Sequence, residues 1–246
     1  MRIALAGAGA FGIRHLDALA VIDGVTVTAV VSRRLEQAAE VARKYGARHA
    51  GTDLAEVLAR DDVDAVILCT PTQLHAGQAI AAMRGGKHVQ VEIPLADSWA
   101  DAQEVDRVQR ETGLVCMVGH TRRFNPSHQW IHRRIAAGEL SIQRATPRGR
   151  ICTLSLSFNN DGPLGTFFRY ICDNGTYLAR YDDLVTGREE VIDVSGVDVS
   201  SNGIELQDRE FVAAIRQGRE PNASVRAVLP CYRVLGELEA QLAQQD

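Results

Sequence analysis

Glycines 7, 9 and 12 stand in GAGAFG, directly after the apolar run RIALA and directly before a helical pattern. In the spacing G-x-G-x-x-G the first glycine permits a tight turn. The second lets the backbone approach a pyrophosphate, and the third lets a helix pack closely on its strand. The helix that follows supplies free amides and the positive end of its dipole. Glycines also mark ordinary turns, but a strand before and a helix after give this spacing its meaning. The chemistry expected is dinucleotide binding.

VVSRR closes the next apolar run. An NAD site usually carries Asp or Glu here, to accept bonds from the ribose 2'-hydroxyl. Ser32, Arg33 and Arg34 offer instead a hydroxyl and two guanidinium forks, which suit a 2'-phosphate dianion. NADP is therefore expected, with NAD the weaker alternative. The other reading of the two arginines is the solvated first turn of the next helix.

The elements that must position these residues are legible in the first 117. RIALA, VTVTAV, DAVILC, KHVQVE and LVCMV are short apolar runs, nearly continuous in character, as strands covered on both faces are. Helical periods lie between them, at Phe11 to Val21, Leu35 to Tyr45, Leu54 to Arg60, Gln73 to Gly85 and Ser98 to Thr112. Such alternation implies a doubly wound parallel sheet of Rossmann type. Its ligands gather at the carboxyl ends of the strands. That directs attention to CTPTQLH, VQVEIPLA and VGHTRRFNP, each of which follows or closes a run.

The second half is patterned differently. ICTLSLSF, LGTFFRYIC, GTYLARYDD and REEVIDVS alternate apolar with polar residues between Asn, Asp and Gly turns, as antiparallel strands with one buried face do. Helices are expected over Gly203 to Arg216 and Ser224 to Ala243. The class is α/β: a Rossmann domain over 1–122, and over 123–246 a smaller α+β domain with an open, mainly antiparallel sheet.

Composition narrows the function. The 246 residues are 46% hydrophobic and 24% charged, as an ordinary globular protein is. A net charge of -4 argues against a nucleic-acid surface. No apolar run is long enough for a bilayer, and the N-terminus lacks the marks of a signal peptide. Cys69, Cys116, Cys152, Cys172 and Cys231 are scattered without a C-x-x-C pair, as in a reduced cytoplasmic protein. His128 and His132, four apart in HQWIH, have a spacing that binds zinc, but a third ligand and an H-E-x-x-H pattern are missing. No metal is expected.

Taken in order, GAGAFG, SRR, LCTPT, VQVEIPLADSW and VGHTRRFNPSHQ resemble the Gfo/Idh/MocA oxidoreductase family, over Met1 to Gln143 and again from Ile151 to the C-terminus. The resemblance implies that Gly7, Ala10, Phe11 and Gly12 hold the pyrophosphate and Ser32 to Arg34 the adenosine phosphate. Cys69, Thr70 and Pro71 would line the ribose and nicotinamide, with His75 close by. Glu92 matches the glutamate of the family's E-K-P motif, near the nicotinamide ribose. The lysine of that motif, the usual proton handler, is here Ile93, so the acid-base group must come from elsewhere, with Glu92, His120 or solvent as the proton acceptor.

The branch it resembles most, from bacterial aromatic catabolism, oxidises the cyclic hemiacetal of a dicarboxylate semialdehyde to a lactone. A hydride then goes to nicotinamide and a hydroxyl proton to a base. Two substrate carboxylates call for cationic clamps, for which Arg122 and Arg123 stand ready, with Asn125 as a further polar contact. By the same resemblance the domain over 123–246 would bind the substrate, and the outer face of its sheet would make a subunit interface, so a homo-oligomer is expected.

One stretch departs from the pattern. Where relatives carry a strand, a loop and a helix with Asp and His, this chain has RATPRGR, and its last histidine is His132. The stretch 144–150 reads as a seam left by a shortened second domain, with a native short loop as the other reading. Two functions follow: a dehydrogenase that keeps its activity, or a non-catalytic NADP-binding protein that has lost the catalytic helix.

Overall fold

The computed structural model describes residues 1–142, 168–180, 183–197 and 203–244. Strands β1 (Arg2–Ala6), β2 (Thr26–Val31), β3 (His49–Gly51), β4 (Ala65–Leu68), β5 (His88–Val91) and β6 (Cys116–Val118) form one sheet in the order β3-β2-β1-β4-β5-β6. Every pairing in it is parallel. All four residues of β4 and residues Ile3 to Ala6 of β1 are fully buried, which explains the near-continuous apolar runs. The order reverses between β1 and β4, so their carboxyl ends, at Gly7 and Cys69, flank the switch point where such sheets bind ligands. β3 escaped the sequence reading because three residues, HAG, carry no apolar period.

The crossovers are α1 (Ala10–Leu19), α2 (Leu35–Tyr45), α3 (Leu54–Leu58), α4 (Thr72–Arg84) and α5 (Trp99–Thr112). Local chemistry sets their ends. Asp53 and Ser98 cap α3 and α5 by accepting from Ala55 N and Asp101 N. Gly46 and Gly113 close α2 and α5 in the left-handed conformation.

The chain separates into two compact units. The first comprises Met1–His120 together with Gln207–Asp246, so the parallel sheet and the C-terminal 40 residues fold as one body. This differs from the expected division, which assigned everything beyond 122 to the second domain. Packing explains it. α7 (Ile204–Gln217) places Phe211, Val212 and Ala214 in the core and reaches the end of α1 through arginines. Arg209 donates to Val21 O at 3.1 Å and Arg216 to Asp23 O at 2.7 Å. Val118 N donates to Ala223 O, which adds the returning chain to the edge of β6. α8 (Val225–Leu242) packs on α5, and Tyr232 accepts a hydrogen bond from Leu95 N at 2.5 Å.

The second unit spans Thr121–Leu206. A 3-10 turn over Thr121–Phe124 leads into α6 (Pro126–Ala136), which packs on an antiparallel sheet of β7 (Phe168–Cys172), β8 (Gly175–Arg180) and β9 (Asp183–Thr186). Ile131, Ala179 and Leu184 form its core, with Trp130, Phe168, Tyr170 and Tyr177 around them. REEVIDVS, expected as a strand, contributes only the bridge Val185 to Val191. Glu189 has φ 64°, so the chain turns there after β9 instead of extending. The expected strand at 151–158 and the seam at 144–150 lie outside the described residues. Among the described residues no helix is long and apolar enough to cross a membrane.

Candidate active site

Each glycine of the 7-9-12 set meets a different constraint. Gly7 has φ 101°, and a Cβ there would collide with the Cys69 carbonyl and lie 2.9 Å from Thr70 N. Its amide donates to Val31 O at 2.8 Å, and Cys69 N donates to Ala6 O at 2.7 Å, so the ends of β1, β2 and β4 are sewn together at this turn. A Cβ on Gly12 would strike Gly7 O and come within 3.1 Å of Leu5 Cδ2. Gly9 is the exception: a Cβ there meets nothing within 4 Å. Protein packing accounts for Gly7 and Gly12, whereas the open space at Gly9, the N-cap of α1, fits a pyrophosphate laid against backbone amides. Ala10 and Phe11 are exposed beside it, with the Arg14 guanidinium 5.4 Å from the Phe11 ring centroid.

At the end of β2, Ser32 is buried, and its hydroxyl donates to Gln37 Oε1 at 2.9 Å. Gln37 Nε2 in turn donates to Ala8 O at 2.8 Å. The hydroxyl proton is thus used to tie β2 to the glycine turn. Arg33 and Arg34 are exposed, and Arg34 is the N-cap residue of α2.

Beyond β4, Thr70 donates its hydroxyl proton to Gln78 Oε1 at 2.5 Å. Pro71 is the N-cap of α4. His75 is buried, with Nδ1 2.6 Å from Pro94 O and Nε2 2.7 Å from Thr70 O. Its ring therefore clamps the segment after β4 to the segment after β5.

Glu92 follows β5 and is 8% exposed. Gly119 makes room for it, since a Cβ there would overlap the carboxylate. Ile93, by contrast, is half exposed. His120 directly follows Gly119, whose amide donates to Val91 O at 2.6 Å, so the adjacent ends of β5 and β6 bring Glu92 and His120 to one edge of the sheet.

Behind Glu92 lies a buried polar cluster that sequence reasoning missed. His15, on α1, is fully buried. Its Nδ1 sits 2.8 and 3.0 Å from the two Asp208 oxygens and its Nε2 sits 3.2 Å from Glu92 Oε1. Gln90 Nε2 donates to Asp208 Oδ1 at 2.7 Å, and Gln207 Nε2 donates to Glu92 Oε1 at 3.3 Å. Burial alone works against a charged imidazole, but Asp208, with lesser help from Cys69 and Glu92, holds His15 well above the ordinary histidine range. Burial pushes the Asp208 carboxyl up while His15 and Gln90 pull it back. Both partners of the pair are thus raised, and the direction that decides is that of His15, because two carboxylates face one ring. Burial also pushes the Cys69 thiol up, against the pull of His15. The sequence held one signal, a histidine on the apolar stripe of α1 beside Leu16 and Leu19. Its partner Asp208 is 193 residues away.

The remaining expected residues belong to the second unit. Arg122 places its guanidinium 4.8 Å from the Phe168 ring centroid, and Arg123 follows it in the same 3-10 turn. Asn125 is buried as the N-cap of α6, and a Cβ on Gly203 would come within 2.8 Å of its Oδ1. His128 Nδ1 lies 2.9 Å from Tyr170 OH, and burial with Arg122 nearby lowers the ring to about 4. His132 is exposed. Among the described residues no group of three His, Cys, Asp or Glu side chains is placed to hold a metal ion.

Residues 1–120 match the family described as an oxidoreductase family with an NAD-binding Rossmann fold, and 140–198 match bacterial oxidoreductases, C-terminal. The chain is 60% identical to 4-carboxy-2-hydroxymuconate-6-semialdehyde dehydrogenase of Sphingobium sp., with all of both chains covered. It belongs to the Gfo/Idh/MocA oxidoreductases. The alignment runs to 314 positions against 246 residues, so it contains gaps opposite this member of the family. Solved structures share the fold at low identity. An oxidoreductase domain protein from Kribbella flavida superposes with TM-score 0.82 at 17% identity, covering 99% of this chain and 97% of the other. A 3-ketoreductase from Actinomadura kijaniata, in complex with TDP-benzene and NADP, gives 0.76 at 20% identity, with 94% of each chain covered.

Proposed function

We propose that this oxidoreductase acts on a CH–OH group, as an NADP-dependent dehydrogenase of 4-carboxy-2-hydroxymuconate-6-semialdehyde in its cyclic hemiacetal form. The product is the lactone 2-pyrone-4,6-dicarboxylate, within the bacterial breakdown of aromatic compounds. The observation that carries this reading is the 60% identity that spans the whole chain.

The reaction divides simply between cofactor and protein. NADP, when bound, takes the hydride, and the protein supplies position and a base. As the ring carbon gives up its hydrogen with two electrons, the hydroxyl proton leaves and the carbon–oxygen double bond forms. Glu92 accepts that proton, with His120 as the neighbouring acceptor. The bonds to Glu92 from His15 and Gln207 both reach Oε1, which leaves Oε2 for the substrate. Arg122 and Arg123 clamp the two substrate carboxylates.

The cofactor choice rests on the end of β2. Two exposed guanidinium groups stand there with no carboxylate, and Gly7, Gly9, Ala10, Phe11 and Gly12 hold the pyrophosphate, with Cys69, Thr70, Pro71 and His75 toward the nicotinamide. Cytoplasmic location and a homo-oligomeric state belong to the same reading, and analytical ultracentrifugation tests the second.

A specific observation supports a second reading. The gaps in the alignment, which runs to 314 positions against 246 residues, favour a member that binds NADP without turning over substrate. One assay separates the two. Purified chain is given NADP and semialdehyde generated in situ, and nicotinamide reduction is followed by absorbance. Turnover supports the dehydrogenase. Cofactor binding without turnover supports the second reading and overturns the first.

A further inference from the structure

Glu92 is nearly buried, and the side chains that hold it come from elements far apart in the sequence: His15 of α1 and Gln207 of α7. His15 is faced by side chains from three other segments of the chain. Asp208 of α7 lies at Nδ1, Glu92 at Nε2 and Cys69 beside the ring, with Gln90 of β5 fixing Asp208. Asp208 and Glu92 are carboxylates, and an ionised carboxylate accepts hydrogen bonds only. A neutral imidazole has one N–H, so it can satisfy one of these two carboxylates and must turn a bare lone pair on the other. Only the doubly protonated ring can donate to both. A lone pair set against Glu92 Oε1 at 3.2 Å would push the side chain out of its place.

We infer that His15 is a positioning residue of the reaction, which holds Glu92 by donating from Nε2 while Nδ1 donates to Asp208, so that Glu92 is in place only while the ring carries both protons. The inference rests on the reading of Glu92 as the proton acceptor. His15 touches neither substrate nor cofactor in this role. Burial would strip the charge from an isolated imidazole, and the direction of its shift here agrees with the geometry.

Asp208→Asn gives the sharpest test. Gln90 Nε2 already donates to Oδ1, which keeps the Asn oxygen at that position. The new amide nitrogen then takes the place of Oδ2, 3.0 Å from Nδ1, and donates to it. A neutral ring can now accept at Nδ1 and keep its single proton at Nε2 for Glu92.

The first measurement is long-range proton–nitrogen NMR of the full chain, whose seven imidazoles include His15. The signal of His15 is assigned from its loss in His15→Gln or, should that variant not fold, from the imidazole that moves in Asp208→Asn. At about pH 8, where an imidazole with a pKa of about 6.5 is neutral, the unaltered chain is expected to show both nitrogens of His15 protonated. Asp208→Asn is expected to show Nε2 alone protonated. A bare nitrogen on His15 in the unaltered chain overturns the inference, whatever the activity.

The second measurement is kcat against pH. The unaltered chain is expected to lose kcat at the alkaline end, as His15 gives up its second proton, and Asp208→Asn to lose that alkaline limb. His15→Gln is expected to lower kcat roughly 100-fold, as a misplaced reacting group does, with KM for NADP little changed. A purely structural His15 would lower the melting temperature and leave the pH profile alone. An unchanged kcat in Glu92→Gln overturns the reading of Glu92 itself. An inactive Glu92→Gln beside an unchanged alkaline limb in Asp208→Asn overturns the inference alone.

Discussion

His15 Nδ1 lies 2.8 Å from Asp208 Oδ1, across 193 residues of sequence. This contact fastens the helix of the glycine motif to α7, where the chain returns from the second unit. The first unit is thus completed by a segment that follows the second unit in sequence. The same ring touches Glu92, so one buried imidazole connects the cofactor helix, the returning helix and the candidate base.

The three glycines are expected to separate by experiment. Gly9→Ala leaves stability nearly unchanged, because its Cβ meets nothing, but weakens NADP binding by roughly tenfold or more, about 1.4 kcal/mol. Gly12→Ala forces a methyl into Gly7 O and costs several kcal/mol, about 2–4, as overpacking does. Thermal unfolding and cofactor titration by fluorescence, run on both variants, check the contrast.

Arg33→Ala is expected to lower affinity for NADP by roughly 10- to 100-fold, the worth of a charge-assisted bond to phosphate, with little effect on NAD. Since Arg33 is exposed, the melting temperature should hold. Equal losses for both cofactors would show that the arginine does not read the 2'-phosphate.

Stability should depend on pH through His15. Its pKa in the folded chain is raised, so its contribution is fully present below the unfolded value of about 6.5 and is lost as pH rises through the raised folded value. Urea denaturation across the neutral and alkaline range is expected to show that decline. His15→Gln flattens it.

Tyr232→Phe removes the acceptor of the Leu95 amide while keeping the packed ring. A buried N–H without a partner costs about 1–3 kcal/mol, which denaturant titration would register as a lower midpoint at constant slope. The same variant tests whether α8 supports the segment that follows Glu92.

Several parts were legible because their causes are local. A strand covered on both faces must be apolar throughout, so β1, β2, β4, β5 and β6 announced themselves. Gly7 and Gly12 are required by backbone contacts within their own turn and with the neighbouring strand end. β3 was lost because it is too short to carry a period. REEVIDVS alternates as a strand should, yet Glu189 in the left-handed region turns the chain there, with Glu189 N donating to Thr186 O at 2.9 Å and Thr186 N to Glu190 O at 2.8 Å.

The sequence by itself determined the doubly wound sheet, the dinucleotide motif and the placing of Glu92 and His120 at strand ends, since hydrophobic period and glycine spacing act over a few residues. Only the tertiary structure decided that 207–246 fold with the first unit, that Ser32 braces the glycine turn through Gln37, and that His15 stands between two carboxylates. The physical reason is range. A buried charge is stable only beside its partners, and partners drawn from α1, β5 and α7 meet only after the sheet and its helices have packed.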